Sequence, residues 1–476
     1  MDKKINVFLG KYKFNTILGL LSIGIAFYVA MFTKTDTGYE WYFLIPGVFG
    51  FLLLIVRPLS FTDTGSIGPL ILNYTMVIKY SISPLVSCLG GYHSWLGRYP
   101  GEDNINKAIL ITFYEMIVLF FENVYLTKKY RRKQINNVEI SKPLRGRVVH
   151  CVIIVLGFAI LFAMPSAFMD YRFLFDQTDL ATTIRVDFAG SGIYKTLFTF
   201  ARYSLVLVIV DFFYKRNLKR DSAINIIGAF IPTLLNCLYV SNLSRIGIFA
   251  PLLSCAFLII ILFNTPKARK TILYGIGTIG LLFIIYLSFV KFFGEGRGDT
   301  SNATSWLWWG DTLNMYFTGI KETAIGIKAK SLINETYGLN RIALMFNDCF
   351  SNVSFISNLT NHDINSNKLY NIVYFGGNIS VSQICPNICE GIYYFGTALS
   401  VVWPALFVYL SHLFSYKSHE KEYIDLKFIY IYSAIYCGMI LMLNSAMIVC
   451  NIINISVLYA VVAFINKKVR IGVIKR

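Results

Sequence analysis

Long apolar runs recur along almost the whole chain, each closed by a short polar break, and this alternation constrains the fold more than any motif does. An α-helix needs about 17–25 apolar residues to cross the hydrocarbon core of a bilayer, where every backbone polar group must be satisfied within the segment. Twelve runs reach that length, at 15–33, 42–58, 66–90, 105–127, 148–169, 192–214, 222–241, 245–264, 271–292, 391–414, 426–443 and 445–465. Those at 42–58 and 426–443 are the shortest. With 55% hydrophobic and 15% charged residues, and a mean hydropathy of +0.57, the chain is far more apolar than a soluble core of this size requires. The reading is an all-α polytopic membrane protein with about twelve transmembrane helices. Asn15–Thr33 is too long for the apolar centre of a signal peptide and no small-residue cleavage site follows it, so it counts as the first span.

A formal net charge of +18 invites a nucleic-acid reading, which the positions of the charges exclude. Basic residues gather in alternate breaks: Lys3, Lys4, Lys11 and Lys13, then eight basic side chains from Lys128 to Arg147. Lys215, Arg216, Lys219 and Arg220 follow, then Lys267, Arg269 and Lys270, and last Lys467 to Arg476. The breaks between them are acidic or balanced, as at Asp36 and Glu40, Glu102 and Asp103, and Asp170, Asp176, Asp179 and Asp187. That is the positive-inside pattern, and with an even number of spans it puts both termini in the cytoplasm. The charge reports topology and no nucleic-acid partner.

One stretch departs from the alternation. From Phe292 to Glu390 no span-length apolar run occurs, so the chain divides into spans one to nine (1–292), a large extracytoplasmic loop (293–389), and spans ten to twelve with a basic cytoplasmic tail (390–476). The loop opens on Gly294 to Asp299 and continues through Trp306, Trp308 and Trp309, residues suited to a membrane–water boundary. Leu313, Tyr316, Phe317, Ile320, Ala324 and Ile327 form a helical stripe, with Lys321, Glu322, Lys328 and Lys330 on other faces. This predicts one amphipathic helix lying on the bilayer or covering a cavity. Cys349, Cys385 and Cys389 fall on the same side, where one disulfide or free thiols are both open readings; no metal-ligand spacing occurs. The sequons at Asn302, Asn334, Asn352, Asn358 and Asn378 are what an Asn-rich chain shows by chance.

Ionisable residues inside the spans are the next signal, because each must face inward and find a partner. Lys79, between Pro69 and Pro84 in the third run, Glu115 in the fourth and Arg202 in the sixth fall at similar depth on three helices. Glu122 lies on the same face as Glu115, seven residues on. The three read either as a structural ion-pair network or as the floor of a polar cavity. Arg245 opens the eighth run after the short turn Ser241–Ser244, and an arginine there either snorkels to the interface or joins the helix N-terminus in holding an anion such as phosphate. Glu390, with Gly391, Tyr393, Tyr394 and Gly396, stands at the mouth of the tenth run, as a helix N-terminal acid or as a catalytic or sugar-binding carboxylate.

The Ser244-Arg245 turn before a hydrophobic span, the long loop one span later, the Tyr316-Phe317-Thr318-Gly319 segment and the exit through Glu390, Gly391, Phe395 and Gly396 together resemble the Wzy-type polymerases of O-antigen, capsule and other repeat-unit polysaccharides. The likeness covers local motifs from about 240 to 415 and the layout of the whole chain. It implies a GT-C-like membrane glycosyltransferase in the bacterial cytoplasmic (inner) membrane, acting on oligosaccharide units carried on undecaprenyl diphosphate. It further implies that Arg245 grips the diphosphate and that Glu390 is the base for the acceptor hydroxyl; Arg297 and Arg341 are further cationic candidates only because they lie in the loop. Membrane lipids, a chain-length regulator and a flippase are the implied partners. No cofactor is expected, since arginines can do the work of a metal and the loop has no Asp-x-Asp.

The related O-antigen ligases have a similar layout with a loop histidine as base, a part His362 would take; His93 is also on the outer side. A polysaccharide flippase is the rival from another class, since it too needs about twelve spans and a cationic cavity. Carriers of that kind usually show internal repeats, and none is visible here.

Overall fold

The computed structural model describes residues 2–33, 37–56, 66–92, 97–134, 141–173, 191–241, 245–275, 306–338, 340–354, 359–360, 365–377 and 383–474, with single residues 278, 282 and 356. Nearly all of this is helical, and the protein is membrane-embedded. Lys13–Phe32, Glu102–Tyr130, Ser191–Lys219, Ile246–Phe263 and Ser445–Asn466 are long and apolar enough to cross a bilayer, and Leu44–Val56, Arg147–Ala163 and Ala223–Asn236 are apolar but shorter. The ninth run, 271–292, lies mostly outside the described residues.

The chain forms two compact units. The first takes residues 1–133, 301–413 and 436–450; the second takes 134–300, 414–435 and 451–476. These units cut across the division into spans, loop and spans that sequence order alone gives.

In the first unit, α1 (Asp2–Phe32) and α2 (Leu44–Val56) pack tightly. Gly19 and Gly50 meet at their crossing, where a Cβ on Gly50 would come within 2.6 Å of the Gly19 carbonyl oxygen. Backbones that close are what small residues permit between membrane helices. The third run is one helix in three parts: α3 (Ile67–Val77), a π-turn (Ile78–Ile82) and α4 (Ser83–Leu89). Pro84 has no N–H to give the Tyr80 carbonyl, and its ring would crowd that oxygen in a regular α-helix. The wider turn just before it absorbs the conflict and turns both Lys79 and Tyr80 inward. The long α5 (Glu102–Gln134) brings Glu115 alongside.

The stretch 293–389 is no free-standing loop where it is described. It folds as α11 (Trp306–Tyr316), α12 (Ile320–Tyr337), α13 (Arg341–Phe350) and α14 (Ser366–Phe375), with α11 packed on α4. The single amphipathic helix expected from the stripe is therefore two helices, broken at Thr318-Gly319. Thr318 has φ +46°, a left-handed conformation that strains a β-branched residue. Past this break the facing changes, so Lys321 and Glu322, expected off the apolar stripe, are buried, while Lys328 is exposed.

The tenth run is likewise not one span. It breaks into α15 (Asn387–Phe395) and α16 (Val402–Glu420), with a turn at Gly396, φ +81°. Nine residues of helix rise only about 13 Å, too little to cross. Gly391 lets the returning chain lay the Ser400 carbonyl directly on α15, where any side chain would collide with it. The eleventh and twelfth runs correspond to α17 (Ile424–Gly438) and α18 (Ser445–Ile474).

The second unit contains α6 (Arg147–Ala163), α7 (Ser191–Lys219), α8 (Ala223–Asn236), α9 (Arg245–Phe263) and α10 (Pro266–Gly275). A two-stranded ribbon pairs β1 (Tyr171–Phe173) with β2 (Tyr239–Ser241). Phe168, Tyr171, Phe198 and Tyr239 form an aromatic cluster around this ribbon. The basic segment before α6 is strapped down by carboxylates. Asp211 accepts from the Leu144 N–H (3.1 Å) and pairs with Lys215 (2.6 Å), Arg145 forks onto Asp425 (2.6 Å), and Lys142 pairs with Glu422.

Candidate functional site

The first unit buries a chain of charges that the sequence reading only half anticipated. Lys79 Nζ donates to Glu115 Oε2 at 2.7 Å, and the two residues are 3% and 1% exposed. Tyr80 adds its hydroxyl to the same oxygen at 3.3 Å. Lys79 also donates to the Thr318 hydroxyl (3.2 Å), which passes its own hydrogen to the Leu441 carbonyl (3.1 Å). The strained Thr318 thus delivers the α11–α12 turn onto the Lys79–Glu115 pair. A turn away, Lys321 pairs with Asp311 at 2.6 Å, its ammonium 5.4 Å from the Tyr374 ring centre.

Glu322 completes the cluster, and among the described residues neither of its buried carboxyl oxygens has a hydrogen-bond partner. Burial pushes its pKa up to about 7, with Lys321 opposing the rise and Asp311 adding to it. The two lysines are thus matched by Glu115 and Asp311, and Glu322 is a third acid with no ion pair among the described residues. Its neutral form balances the charge.

A second acidic group lies around α15. Glu390 is 1% exposed, and its Oε2 accepts from the Ser445 N–H at 3.0 Å and the Trp403 indole at 3.4 Å. Ser445 is the first residue of α18, so Glu390 satisfies one of that helix's open N–H groups while also sitting in the first turn of its own helix. The bland, helix-terminal role is real here. Asp348 on α13 accepts from the Tyr394 hydroxyl (2.5 Å) and the Ser366 N–H (2.8 Å); burial pushes it up to about 6 against those two bonds. Arg341, exposed at the start of α13, has its Nη1 3.9 Å from where a Cβ on Gly396 would stand, beside the turn that ends α15.

Of the residues singled out from sequence, Lys79 and Glu115 meet directly. Arg202 belongs to the second unit and bonds the Asn236 side chain at 2.8 Å and the Asn236 carbonyl, with its guanidinium 5.6 Å over Phe198. Among these contacts it joins no acid. Arg245 is the first residue of α9, but its side chain lies outside the described residues, as do His93, Arg297 and His362 altogether. Cys349, Cys385 and Cys389 are buried free thiols, so the disulfide reading does not hold. No cluster of three metal-ligating side chains occurs among the described residues.

Asp311, Thr318, Lys321, Glu322 and Asp348 were missed. The available signal was the Thr318-Gly319 break, which starts a new helix and places Lys321 and Glu322 in its first turn. Compared with known proteins, the chain matches no family model, no curated protein and no solved structure.

Proposed function

We propose that this chain is a bacterial membrane glycosyltransferase, a repeat-unit polysaccharide polymerase of the O-antigen or capsule kind. It joins oligosaccharides carried on undecaprenyl diphosphate at the outer face of the cytoplasmic membrane. The growing chain leaves its lipid diphosphate and is transferred to a hydroxyl of the next lipid-linked unit. Such chemistry needs a proton acceptor for the hydroxyl and cations for the departing diphosphate. The observation that carries the reading is the set of buried carboxyls in the first unit, Glu322, Asp348 and Glu390, with Arg341 exposed beside α15. Buried acids with raised pKa values cluster at functional sites.

In this reading Glu390 is the candidate base and Arg341, Arg245 and Arg297 are the diphosphate cations, with His362 the alternative base of a ligase-like enzyme. The chain crosses twelve times in a GT-C-like arrangement, with α16 as the tenth crossing and both termini cytoplasmic. A chain-length regulator and a flippase are its partners, and no resident metal is part of the reading. The Lys79–Glu115 pair also suits a proton-coupled carrier, which makes a flippase the second reading.

Analysis of lipid-linked glycans in a strain lacking the protein separates these. Single repeat units at the outer face, with no long surface polysaccharide, are the expected result. Long lipid-linked polymer identifies a ligase, single units held at the cytoplasmic face identify a flippase, and an unchanged glycan ladder overturns the proposal. Glu390→Gln keeps an oxygen for the Ser445 N–H but removes proton uptake, so it is expected to lower polymerisation by about 10²–10⁴ at normal protein level. Full-length polymer from this variant moves the base to His362.

A further inference from the structure

An ionised side chain that faces lipid is costly, so an exposed arginine beside a membrane helix has to meet an anion there. Arg341, the first residue of α13, is such a group. It is exposed, and it makes no hydrogen bond or ion pair among the described residues. Its depth follows from its neighbours. Arg341 Nη1 lies 3.9 Å from where a Cβ on Gly396 would stand, and just past that glycine the Ala398 carbonyl accepts from the Tyr114 hydroxyl at 3.1 Å. Tyr114 belongs to α5, within Glu102–Tyr130, which is long and apolar enough to cross a bilayer. It stands about 10 Å along that helix from the exposed Lys107, with no charge between them. The 396–399 turn therefore meets α5 beside its apolar stretch, and Arg341 reaches that turn.

The surface around Arg341 is apolar. α13 buries Leu344, Asn347, Asp348 and Cys349 and turns Ile342 and Phe346 outward. It packs on α15, at whose end Phe395 and Leu399 are exposed. Asp348, the one acid of α13, is on the buried side, where it accepts from the Tyr394 hydroxyl and the Ser366 N–H, so it does not neutralise Arg341.

A lone cation set in an exposed apolar surface matches an amphiphile with an anionic head and a hydrocarbon chain. A free anion would leave the apolar face uncovered, and an uncharged lipid would leave the guanidinium unpaired. Glu390 narrows the choice among lipids. It precedes Gly396 by about 9 Å along α15, so a head group on Arg341 stands one short helix away from the proposed base.

We propose that Arg341, with the exposed faces of α13 and of the turn after α15, forms a docking surface for a polyprenyl diphosphate, open sideways to the lipid. This rests on the polymerase reading for the choice of a polyprenyl carrier over a bilayer phospholipid, and it adds a path to that reading. The carrier enters from the side, its first isoprene units lie along Ile342, Phe346, Phe395 and Leu399, and its diphosphate stays at Arg341.

The test is native mass spectrometry of the full-length protein in detergent. The probe is undecaprenyl diphosphate carrying no sugar, with undecaprenol and phosphatidylglycerol as controls. Arg341→Gln is expected to weaken undecaprenyl diphosphate binding by about 10-fold or more, the worth of charge-assisted hydrogen bonds to phosphate, and to leave undecaprenol binding unchanged. Phe346→Ser and Leu399→Ser are expected to weaken both polyprenyl ligands by about 3–10-fold each. Lys328→Gln, which removes an exposed cation of α12, is expected to bind as the parent does. All four side chains are exposed, so the variants keep the parent's fold.

Parent-like binding by Arg341→Gln, or a loss no larger than that of Lys328→Gln, overturns the surface. So does displacement of the probe by an equal amount of phosphatidylglycerol, which makes the face a general lipid contact. Both results leave the polymerase reading standing, since Arg245 and Arg297 remain for the diphosphate. An unchanged glycan ladder in the deletion strain removes that reading instead. The surface is then upheld by selective loss of undecaprenyl diphosphate in Arg341→Gln and overturned without it.

Discussion

Removing one half of the Lys79–Glu115 pair should cost far more than removing both. Lys79→Met leaves Glu115, 1% exposed, with the Tyr80 hydroxyl as its one remaining hydrogen bond among the described residues, and Glu115→Gln leaves the Lys79 ammonium with the Thr318 hydroxyl and the Tyr80 ring. Stranding one charge of a buried pair typically destabilises by about 3–5 kcal/mol, whereas replacing both partners by neutral groups is often close to neutral. For a chain this long the unfolding entropy is roughly 1 kcal/mol per degree, so each single variant should melt about 3–5 °C below the parent. The double variant Lys79→Met/Glu115→Gln should recover most of that loss. The assay is thermal unfolding in detergent at pH 7.5, followed by the loss of monodisperse protein on size-exclusion chromatography, arranged as a double-mutant cycle. A double variant no more stable than the sum of the singles would refute the idea that these charges stabilise only each other.

Protonation of Glu322 sets a pH dependence. Its pKa is raised from the ordinary 4.5 to about 7, so between those values the fold keeps a proton that the unfolded chain has released. Stability is therefore full below about pH 4.5, falls as pH rises, and is lower by roughly 3 kcal/mol above pH 7; melting curves across that range should flatten in Glu322→Gln, and an unchanged slope would count against it. Asp348, raised from 3.8 to about 6, adds a loss of the same sign at lower pH. Gly391→Ala should destabilise by about 1–3 kcal/mol, because its Cβ meets the Ser400 backbone and not a movable side chain; a melting point equal to the parent's would refute that contact. Reporter fusions after Arg220, Lys330 and Arg476 should read inside, outside and inside, and an inside signal at Lys330 would overturn the proposed topology.

The helical runs were legible because their cause is local. A backbone in lipid has to satisfy its own hydrogen bonds, so length and apolarity alone mark α5, α7, α9 and α18. What hydropathy does not register is a turn inside an apolar run. Tyr393, Tyr394, Phe395, Val401 and Val402 are apolar on either side of Gly396, and averaging over them hides the reversal that separates α15 from α16. The π-turn at Ile78–Ile82 was foreshadowed by Pro84, although a kink and a widened turn leave the same trace in sequence.

The site was less legible, for a reason visible in its residues. Lys79 and Glu115 stood out because a charge in an apolar run is conspicuous. Asp311, Lys321 and Glu322 did not, because in a polar stretch a charge looks solvated by default. Their burial depends on a contact between positions 239 residues apart in sequence, Lys79 with Thr318, and no periodicity carries that information. The same contact explains why the two halves of the charge cluster must be judged together. Lys79 and Lys321 each have an acid within 2.7 Å, which leaves Glu322, Asp348 and Glu390 as buried acids of the first unit with no ion pair among the described residues. A fold that packs α11 onto α4, and strains Thr318 at the turn that follows, holds several buried acids in the interior of its first unit. A scaffold that only had to hold helices together would gain by replacing Glu322 with an apolar residue.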